Sequence, residues 1–230
     1  MFSRSARFYD AIYSFKDYSA EAERLHELVQ ARVPAARTLL DVACGTGAHL
    51  AELRRWYEVE GVDLDPGPLE VARERLPGVP LHEGDMADLD LGREFDVVTC
   101  LFSSIGYVRT HDGLMRATAS LARHVAPGGV LIVEPWLEPG VWEPGRVGSV
   151  FVDEPDLKVA RINVGDSAEV MEMHYLVGTP EGIDSFVERH EMGVFSRDEH
   201  IEAFRAAGLI VEHDLDGLMG RGLYIGTRGA

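Results

Sequence analysis

Hydrophobic positions recur with two different spacings along the first 136 residues of the chain. Residues 19–33 repeat apolar side chains at helical spacing until Pro34, and residues 38–44 (TLLDVAC) form the short apolar run of a buried strand. Further helices are predicted at 48–56, 66–76 and 112–125, and further strands at 58–64, 79–85, 95–104 and 130–136. Alternating strands and helices predict βαβ units in a parallel, doubly wound sheet, whose ligand sites lie at the carboxyl ends of the strands.

The spacing changes between residues 137 and 195, where short alternating runs are separated by glycines and prolines. Four antiparallel strands are predicted there, at 146–154, 157–165, 169–178 and 186–195. A helix at 197–209 and strands at 209–215 and 222–228 then resume the first pattern. We therefore expect an α/β main domain made of residues 1–136 and 196–230, with a small antiparallel β-sheet inserted as residues 137–195.

Composition narrows the possible partners of the chain. A net charge of -17 over 230 residues argues against a nucleic acid partner, because phosphate binding needs a basic face; any phosphate contact has to come from a few local arginines. We expect a cytoplasmic protein, since the chain begins without a signal-peptide pattern and contains no run near the roughly 18 apolar residues of a membrane span. Cys44 and Cys100 follow apolar runs without metal-ligand spacing, so we expect buried thiols, a reducing compartment and no metal site.

A glycine turn follows the first predicted strand in the stretch LLDVACGTGAHL, residues 39–50. Gly45 and Gly47 let the backbone approach a ligand closely where the next helix begins. Dinucleotide-binding proteins carry the pattern G-x-G-x-x-G at such a turn. Here Ala43 and Leu50 stand at the first and third glycine positions. This departure weakens an NAD-binding interpretation without excluding it.

Three aspartates follow the predicted strand ends. Asp41 precedes the turn, and Asp63 ends the second strand 22 residues later, where an acidic side chain binds a ribose hydroxyl pair. Asp85 follows the third strand, where a carboxylate can accept a hydrogen bond from an adenine amine. Together they suit a nucleoside that lies across the strand ends without a pyrophosphate. The alternative is that these carboxylates only cap turns, and it stays open above all for Asp41.

These features resemble the class I S-adenosylmethionine (SAM) methyltransferases. The resemblance implies a Rossmann-like fold with a seven-stranded sheet whose last strand is antiparallel, and SAM as cofactor. More specific stretches resemble the N,N-dimethyltransferases that act on dTDP-linked amino sugars of the desosamine and mycaminose type. These stretches are YD (9–10) with KDY (16–18), LLDVACGTG (39–47), FSSIG (102–106) and GRGL (220–223), supported by VEPW (133–136) and MEMHY (171–175).

The resemblance also implies roles for individual residues. It assigns SAM binding to the main domain and much of the substrate pocket to the inserted sheet. The implied cofactor-binding residues are Tyr9, Tyr18, Ala43, Gly45, Asp63, Leu64, Asp85, Met86 and Phe102. Ser104, Tyr175 and Arg221 would bind the sugar nucleotide, with Arg221 at its pyrophosphate.

Two catalytic residues, Tyr107 and His174, are implied as well. In the resembling family a histidine follows FSSIG beside the reacting amine, and this chain has Tyr107 at that position. His174 would face the sugar nucleotide from the inserted sheet. The alternatives are a lid residue for Tyr107 and an ordinary structural histidine for His174. Phe2 is the nearest counterpart of an aromatic residue that the family carries near its N-terminus.

We therefore expect a SAM-dependent N-methyltransferase that acts on the amino group of a nucleotide-linked amino-deoxysugar in natural-product biosynthesis. Its partner would be the nucleotide sugar, and the inserted sheet could also form a homodimer contact. Three alternatives remain: methylation of another small acceptor at oxygen or carbon, an NAD-dependent oxidoreductase, and a non-catalytic SAM-binding regulator. The position of the amine on the sugar and the number of methyl groups are open at this point.

Overall fold

Seven strands form the main sheet in the computed structural model, which describes residues 4–230 apart from the side chain of Asp166. In chain order the strands are β1 (Thr38–Val42), β2 (Glu58–Asp63), β3 (Leu81–Glu83), β4 (Phe95–Cys100), β5 (Val125–Val133), β6 (Val147–Glu154), β7 (Leu157–Ser167), β8 (Val170–Thr179), β9 (Gly182–Glu191), β10 (Leu209–Asp214) and β11 (Leu223–Arg228). The helices are α1 (Tyr9–Ile12), α2 (Tyr18–Gln30), α3 (Ala48–Leu53), α4 (Pro66–Arg75), α5 (His111–Arg123) and α6 (Arg197–Ala206), with 3-10 turns at Ala6–Phe8 and Ser104–Val108.

The main sheet has the strand order β10-β11-β5-β4-β1-β2-β3. Strands β5, β4, β1, β2 and β3 run parallel, whereas β11 is antiparallel to both of its neighbours. Strands β6 to β9 form a separate four-stranded antiparallel sheet, the small sheet. The predicted fold class, a seven-stranded mostly parallel sheet with an inserted antiparallel sheet, is confirmed. The division into two domains at residues 136 and 196 stays a prediction.

Helices cover both faces of the main sheet, as a parallel sheet requires. Neighbouring residues of β1 point to opposite faces: Leu39 lies in the apolar cluster with α2 and α3, and Leu40 in the cluster with α5 and α6. Both side chains are fully buried. Because the two faces are covered, ligands can reach the sheet only at its edges and at the strand ends.

The small sheet covers the carboxyl end of the main sheet. Met173 and Tyr175 from β8 share one apolar cluster with Ile12 and Tyr13 of the N-terminal segment, and Phe102 at the end of β4 packs against that cluster. The N-terminal segment and the insertion therefore meet directly above the strand ends, where the sequence predicts ligand binding. No helix among residues 4–230 is both long enough and apolar enough to cross a bilayer.

Several predicted boundaries were wrong. Strand β4 ends at Cys100 instead of residue 104, because Phe102 and Ser103 have left-handed backbones with φ of 50° and 65°. Strand β9 spans Gly182–Glu191 instead of residues 186–195, since β8 runs on to Thr179 and turns tightly into Gly182. Strand β5 spans Val125–Val133 instead of residues 130–136, since it begins before Gly128 and Gly129 and pairs with β4 in an irregular register there.

Candidate functional site

A cavity of about 510 Å³ lies between the strand ends of the main sheet and the small sheet. A smaller pocket of about 40 Å³ adjoins it on the side of the N-terminal segment. Of the residues predicted for the site, the larger cavity is lined by Tyr9, Ala43, Gly45, Asp63, Leu64, Asp85, Met86, Ser104 and Tyr107. The smaller pocket adds Tyr18 and Phe102 to a wall that includes Tyr9, Ala43, Gly45 and Ser104. The two pockets therefore bring the predicted cofactor-binding residues together.

The turn after β1 is built from left-handed residues. Ala43, Gly45 and Gly47 have φ of 62°, 56° and 74°. Gly47 directly precedes α3, and a Cβ atom there would come within 2.8 Å of Leu76 Cδ1. A side chain at Gly47 would therefore be both strained and crowded, while the open side of the turn faces the cavity.

Asp63 fixes this turn to the end of β2. Its carboxylate accepts hydrogen bonds from the backbone N–H groups of Gly45 (2.8 Å) and Asp65 (2.9 Å), one on each oxygen. Burial raises the pKa of the Asp63 carboxyl above its usual range. Asp63 also lines the cavity, and a carboxylate can accept several hydrogen bonds, as a pair of ribose hydroxyls requires.

The loop after β3 forms the next part of the wall. Asp85 accepts a hydrogen bond from the Ala87 N–H (2.9 Å), and Met86 lies between them against the cavity. Gly84 packs closely on β2, since a Cβ atom there would lie 3.3 Å from Val62 Cγ1. This loop can place a carboxylate and an apolar surface next to a planar ring.

A buried ionic group supports the smaller pocket. Glu21 accepts from Lys16 Nζ at 2.9 Å and contacts His49 Nε2 at 2.7 Å. Lys16 Nζ also lies 3.9 Å from the centre of the Phe102 ring, and the His49 ring meets Tyr18 edge-on at 4.8 Å. These contacts hold Tyr18 and Phe102 in place. The sequence pattern does not reveal this group, because its members are scattered along the chain.

Hydrogen bonds to residues 134, 135 and 221 fix the turn at residues 102–103. Glu134, which is fully buried, accepts a hydrogen bond from the Phe102 N–H at 2.7 Å. Ser103 Oγ donates to the Pro135 carbonyl (2.8 Å) and accepts from Arg221 Nη1 (2.7 Å). The motifs FSSIG, EPW and GRGL are thus in mutual contact, which their sequence spacing could not reveal. Arg221 lies under this turn and outside the cavity wall.

Tyr107 reaches the cavity from the 3-10 turn after β4. Its hydroxyl is 2.9 Å from Nδ1 of His190 on β9, and both residues line the cavity. Burial lowers the pKa of His190 to about 4 and raises the pKa of Tyr107. His190 was missed by the sequence analysis. Its signal is the alternation within β9, where Glu188 and His190 fall on the buried face.

His174 and Tyr175 do not face one ligand together. They are successive residues of β8, and successive side chains of a strand point to opposite faces. The His174 side chain is 62% exposed on the outer face, 3.9 Å from Glu172. Tyr175 is buried on the inner face and stacks on Phe186 with ring centres 4.7 Å apart. Neither residue lines the cavity. Phe2 lies outside the described residues.

Three arginines supply local positive charge in this acidic protein. Arg109, Arg116 and Arg189 line the cavity on the side of α5 and β9. Arg109 and Arg189 both pair with Glu191, at 3.1 and 3.3 Å. Sequence spacing does not reveal this cluster of arginines, because it depends on how the small sheet folds back over the main sheet.

Known proteins match the chain along nearly its whole length. Residues 39–129 match the family model described as a methyltransferase domain. The chain is 41% identical over 229 residues to dTDP-4-amino-2,3,4,6-tetradeoxy-D-glucose N,N-dimethyltransferase of Saccharopolyspora spinosa, covering 97% of this chain and 92% of the relative. It is 42% identical over 226 residues to dTDP-3-amino-3,4,6-trideoxy-alpha-D-glucopyranose N,N-dimethyltransferase of Streptomyces venezuelae, covering 95% of each.

Solved structures extend the match to the fold. The crystal structure of Streptomyces venezuelae DesVI superposes with a TM-score of 0.87 at 41% identity, covering 95% of this chain and 97% of that one. SAM-bound CalS10, an amino pentose methyltransferase from Micromonospora echinaspora involved in calicheamicin biosynthesis, gives a TM-score of 0.86 at 41% identity and covers 96% of each chain. This coverage includes the small sheet as well as the main sheet.

Proposed function

The chain belongs to the family of the dTDP-amino-sugar N,N-dimethyltransferases, which are class I SAM-dependent methyltransferases, and from this premise we propose that it methylates the amino group of a dTDP-linked amino-deoxysugar in natural-product biosynthesis. The extent of the cavity is the observation that supports this proposal most strongly. A single cavity runs from the carboxylates at the ends of β2 and β3 to Ser104 and Tyr107 beneath the small sheet. It offers a nucleoside site and a site for a second substrate in one enclosure.

SAM is the cofactor, and it supplies a methyl group activated on a sulfonium. The residues present fit it. We assign the ribose hydroxyls to Asp63 and the adenine to Asp85, Met86 and Leu64. The remaining residues would hold the methionyl end, and these are Tyr9, Tyr18, Ala43, Gly45 and Phe102.

Methyl transfer needs a neutral amine whose lone pair points along the line of the breaking bond. Because the sulfonium is already activated, the protein's main tasks are orientation and exclusion of water. We assign orientation of the amine to Tyr107, which lines the cavity. A strong base is not required, and the raised pKa of Tyr107 keeps its hydroxyl protonated at neutral pH. His174 has no part in this mechanism, since its side chain lies on the outer face of the small sheet.

The sugar nucleotide would enter from the side of the 102–103 turn. Ser104 lines both pockets, which supports its assignment to the point where the methyl donor meets the sugar. Arg221 lies outside the cavity wall and donates to Ser103 with one nitrogen, so a pyrophosphate would have to extend past the 102–103 turn to reach the other N–H donors of its guanidinium. Tyr175 supports this region from the apolar layer behind it, without contact to the cavity. The two buried free cysteines support a reducing, cytoplasmic compartment.

The outer face of the small sheet supports the proposal of a homodimer. Exposed apolar side chains cover all four strands, namely Val147, Phe151, Ile162, Val164, Leu176, Ile183 and Val187. Register places Ile162 beside His174 and His174 beside Val187, so this row crosses the centre of the face. Exposed apolar side chains in this number are typical of an interaction surface, and a second copy of the chain offers a matching one.

A mass-resolved methyl-transfer assay tests the function. SAM is offered with a dTDP-3-amino and a dTDP-4-amino dideoxyhexose side by side. We expect one of them to gain one or two methylene units of mass, which gives the position of the amine and the methyl count together.

Methylation of another small acceptor at oxygen or carbon remains the alternative, and it predicts that Arg221→Ala leaves the KM of the acceptor unchanged. Because the chain belongs to this enzyme family, an oxidoreductase and a non-catalytic regulator are no longer alternatives.

A further inference from the structure

The hydroxyl of Tyr107, which lies in the 3-10 turn after β4, contacts a histidine of the small sheet. His190 lies on the inner face of β9, is 1% exposed, and places Nδ1 2.9 Å from the Tyr107 hydroxyl. The two residues are 83 positions apart in sequence. This contact bridges the main sheet and the small sheet at the wall of the cavity.

A carboxylate lies behind the imidazole. Glu188 Oε2 is 3.9 Å from His190 Nε2, and the carboxylate itself is fixed by three donors of the N-terminal segment. Ser5 donates its N–H (3.1 Å) and its hydroxyl (2.7 Å), and Arg4 donates its N–H (3.2 Å). The negative charge beside Nε2 favours the tautomer with the proton on Nε2. Nδ1 then carries a lone pair toward Tyr107.

We propose that His190, oriented by Glu188, is a positioning residue that receives the Tyr107 O–H and thereby turns the phenol oxygen into a fixed acceptor for the N–H of the substrate amine. The inference rests on the proposed function, because it requires an amine in the cavity. The low pKa of His190, caused by burial and by Arg161, agrees with a neutral ring in this role.

The direction of the hydrogen bonds, from the amine to Tyr107 and from Tyr107 to His190, decides where the lone pair of the amine nitrogen points. An amine N–H that donates to the Tyr107 oxygen leaves the nitrogen lone pair free to point at the methyl group. Transfer forms the N–C bond, breaks the S–C bond and leaves a thioether and an ammonium group. The ammonium proton then passes to water at the rim beside Arg189 and Glu191, which are exposed residues of the cavity wall. Tyr107 and His190 keep their protons throughout.

A double-mutant cycle on methyl transfer tests this. The variants are Tyr107→Phe, His190→Leu, their combination and His190→Asn, whose amide oxygen replaces the acceptor at the Nδ1 position. His82→Leu is the matched control, because it removes a histidine–glutamate contact (3.0 Å to Glu60) outside the cavity wall. The readouts are kcat and KM for the dTDP-amino sugar, with SAM affinity as the check on folding.

We expect Tyr107→Phe and His190→Leu each to lower kcat about ten- to a hundredfold, the range of one hydrogen bond to the charge that develops on the amine during transfer, while SAM affinity and the KM of the nucleotide sugar stay nearly constant. The double variant should lose no more than either single one, and His190→Asn should restore most of the rate. Additive losses, or no rescue by His190→Asn, would overturn the proposal; if His190→Leu does not fold, the His190→Asn result alone decides. A wild-type protein that methylates no amino sugar would overturn the proposed function first, and this inference with it.

Discussion

At the residue scale, the Asp63 carboxylate has a structural role, and we propose that it also binds the cofactor. It ties the glycine turn to β2 through the Gly45 and Asp65 amides, and it lines the cavity. Such a residue could be found from sequence, because an acidic side chain at the end of the second strand is part of the nucleoside-binding pattern.

We expect Asp63→Asn to weaken SAM binding about ten- to a hundredfold, since it removes charge-assisted hydrogen bonds to the ribose. Isothermal titration calorimetry measures the affinity. Glu83→Gln is the matched control: Glu83 is paired with Asp63 across β2 and β3 but is exposed outside the cavity wall. Equal affinities of wild type and Asp63→Asn would remove Asp63 from the site.

His200 is a buried histidine. It is 1% exposed and stacks on Tyr224 with ring centres 4.3 Å apart. Burial lowers the pKa of His200 to about 4 from an ordinary 6.5. The unfolded chain therefore binds the proton more readily. The stability that the neutral ring provides is complete above pH 6.5 and is lost as the pH falls toward 4.

Between pH 7 and pH 5 this loss amounts to about 2 kcal/mol for His200. We expect the free energy of unfolding of wild type to fall more over this interval than that of His200→Phe, by about that amount. Urea titrations at both pH values give the difference. Asp41, whose pKa burial raises to about 6, acts in the opposite direction, but it is common to both proteins and cancels. Parallel pH curves for the two proteins would contradict the assignment.

At the scale of elements, sequence periodicity predicted most strands and helices but not their ends. The helix starts carried readable caps: Thr110 accepts from the Gly113 N–H (3.1 Å), and Ser196 with Glu199 forms a capping box. The end of β4 carried no such signal. Its left-handed turn costs about 1–3 kcal/mol per strained residue and persists because the Glu134 carboxylate, 32 residues away, holds the Phe102 N–H.

The small sheet permits a prediction about assembly. Wild type should be a dimer at micromolar concentration in sedimentation-velocity experiments. Ile162→Asp, at the centre of the outer face, should be monomeric, because the substitution buries a carboxylate in an apolar contact. Ile210→Asp is the matched control: Ile210 is an exposed isoleucine as well, 72% against 43% for Ile162, but it lies on β10, an edge strand of the main sheet. A monomeric wild type would contradict the proposed interface.

At the scale of the whole molecule, three distant parts of the chain close the site. The N-terminal segment, the main sheet and the small sheet share one apolar cluster above the strand ends. The motif residues of the main sheet were predictable, since local spacing defines them. His190, Glu188 and the Lys16–Glu21–His49 group were not, because each depends on tertiary contacts between elements that sequence spacing leaves unrelated.

The most direct test of the account is a paired methyl-transfer measurement with SAM in excess. One acceptor is the dTDP-linked amino sugar, and the other is the same nucleotide sugar with a hydroxyl in place of the amine. We expect transfer to the amino sugar, with the new methyl on nitrogen, and no product from the hydroxyl analogue. Methylation of the hydroxyl analogue, or no transfer to either acceptor while SAM binds normally, would contradict it.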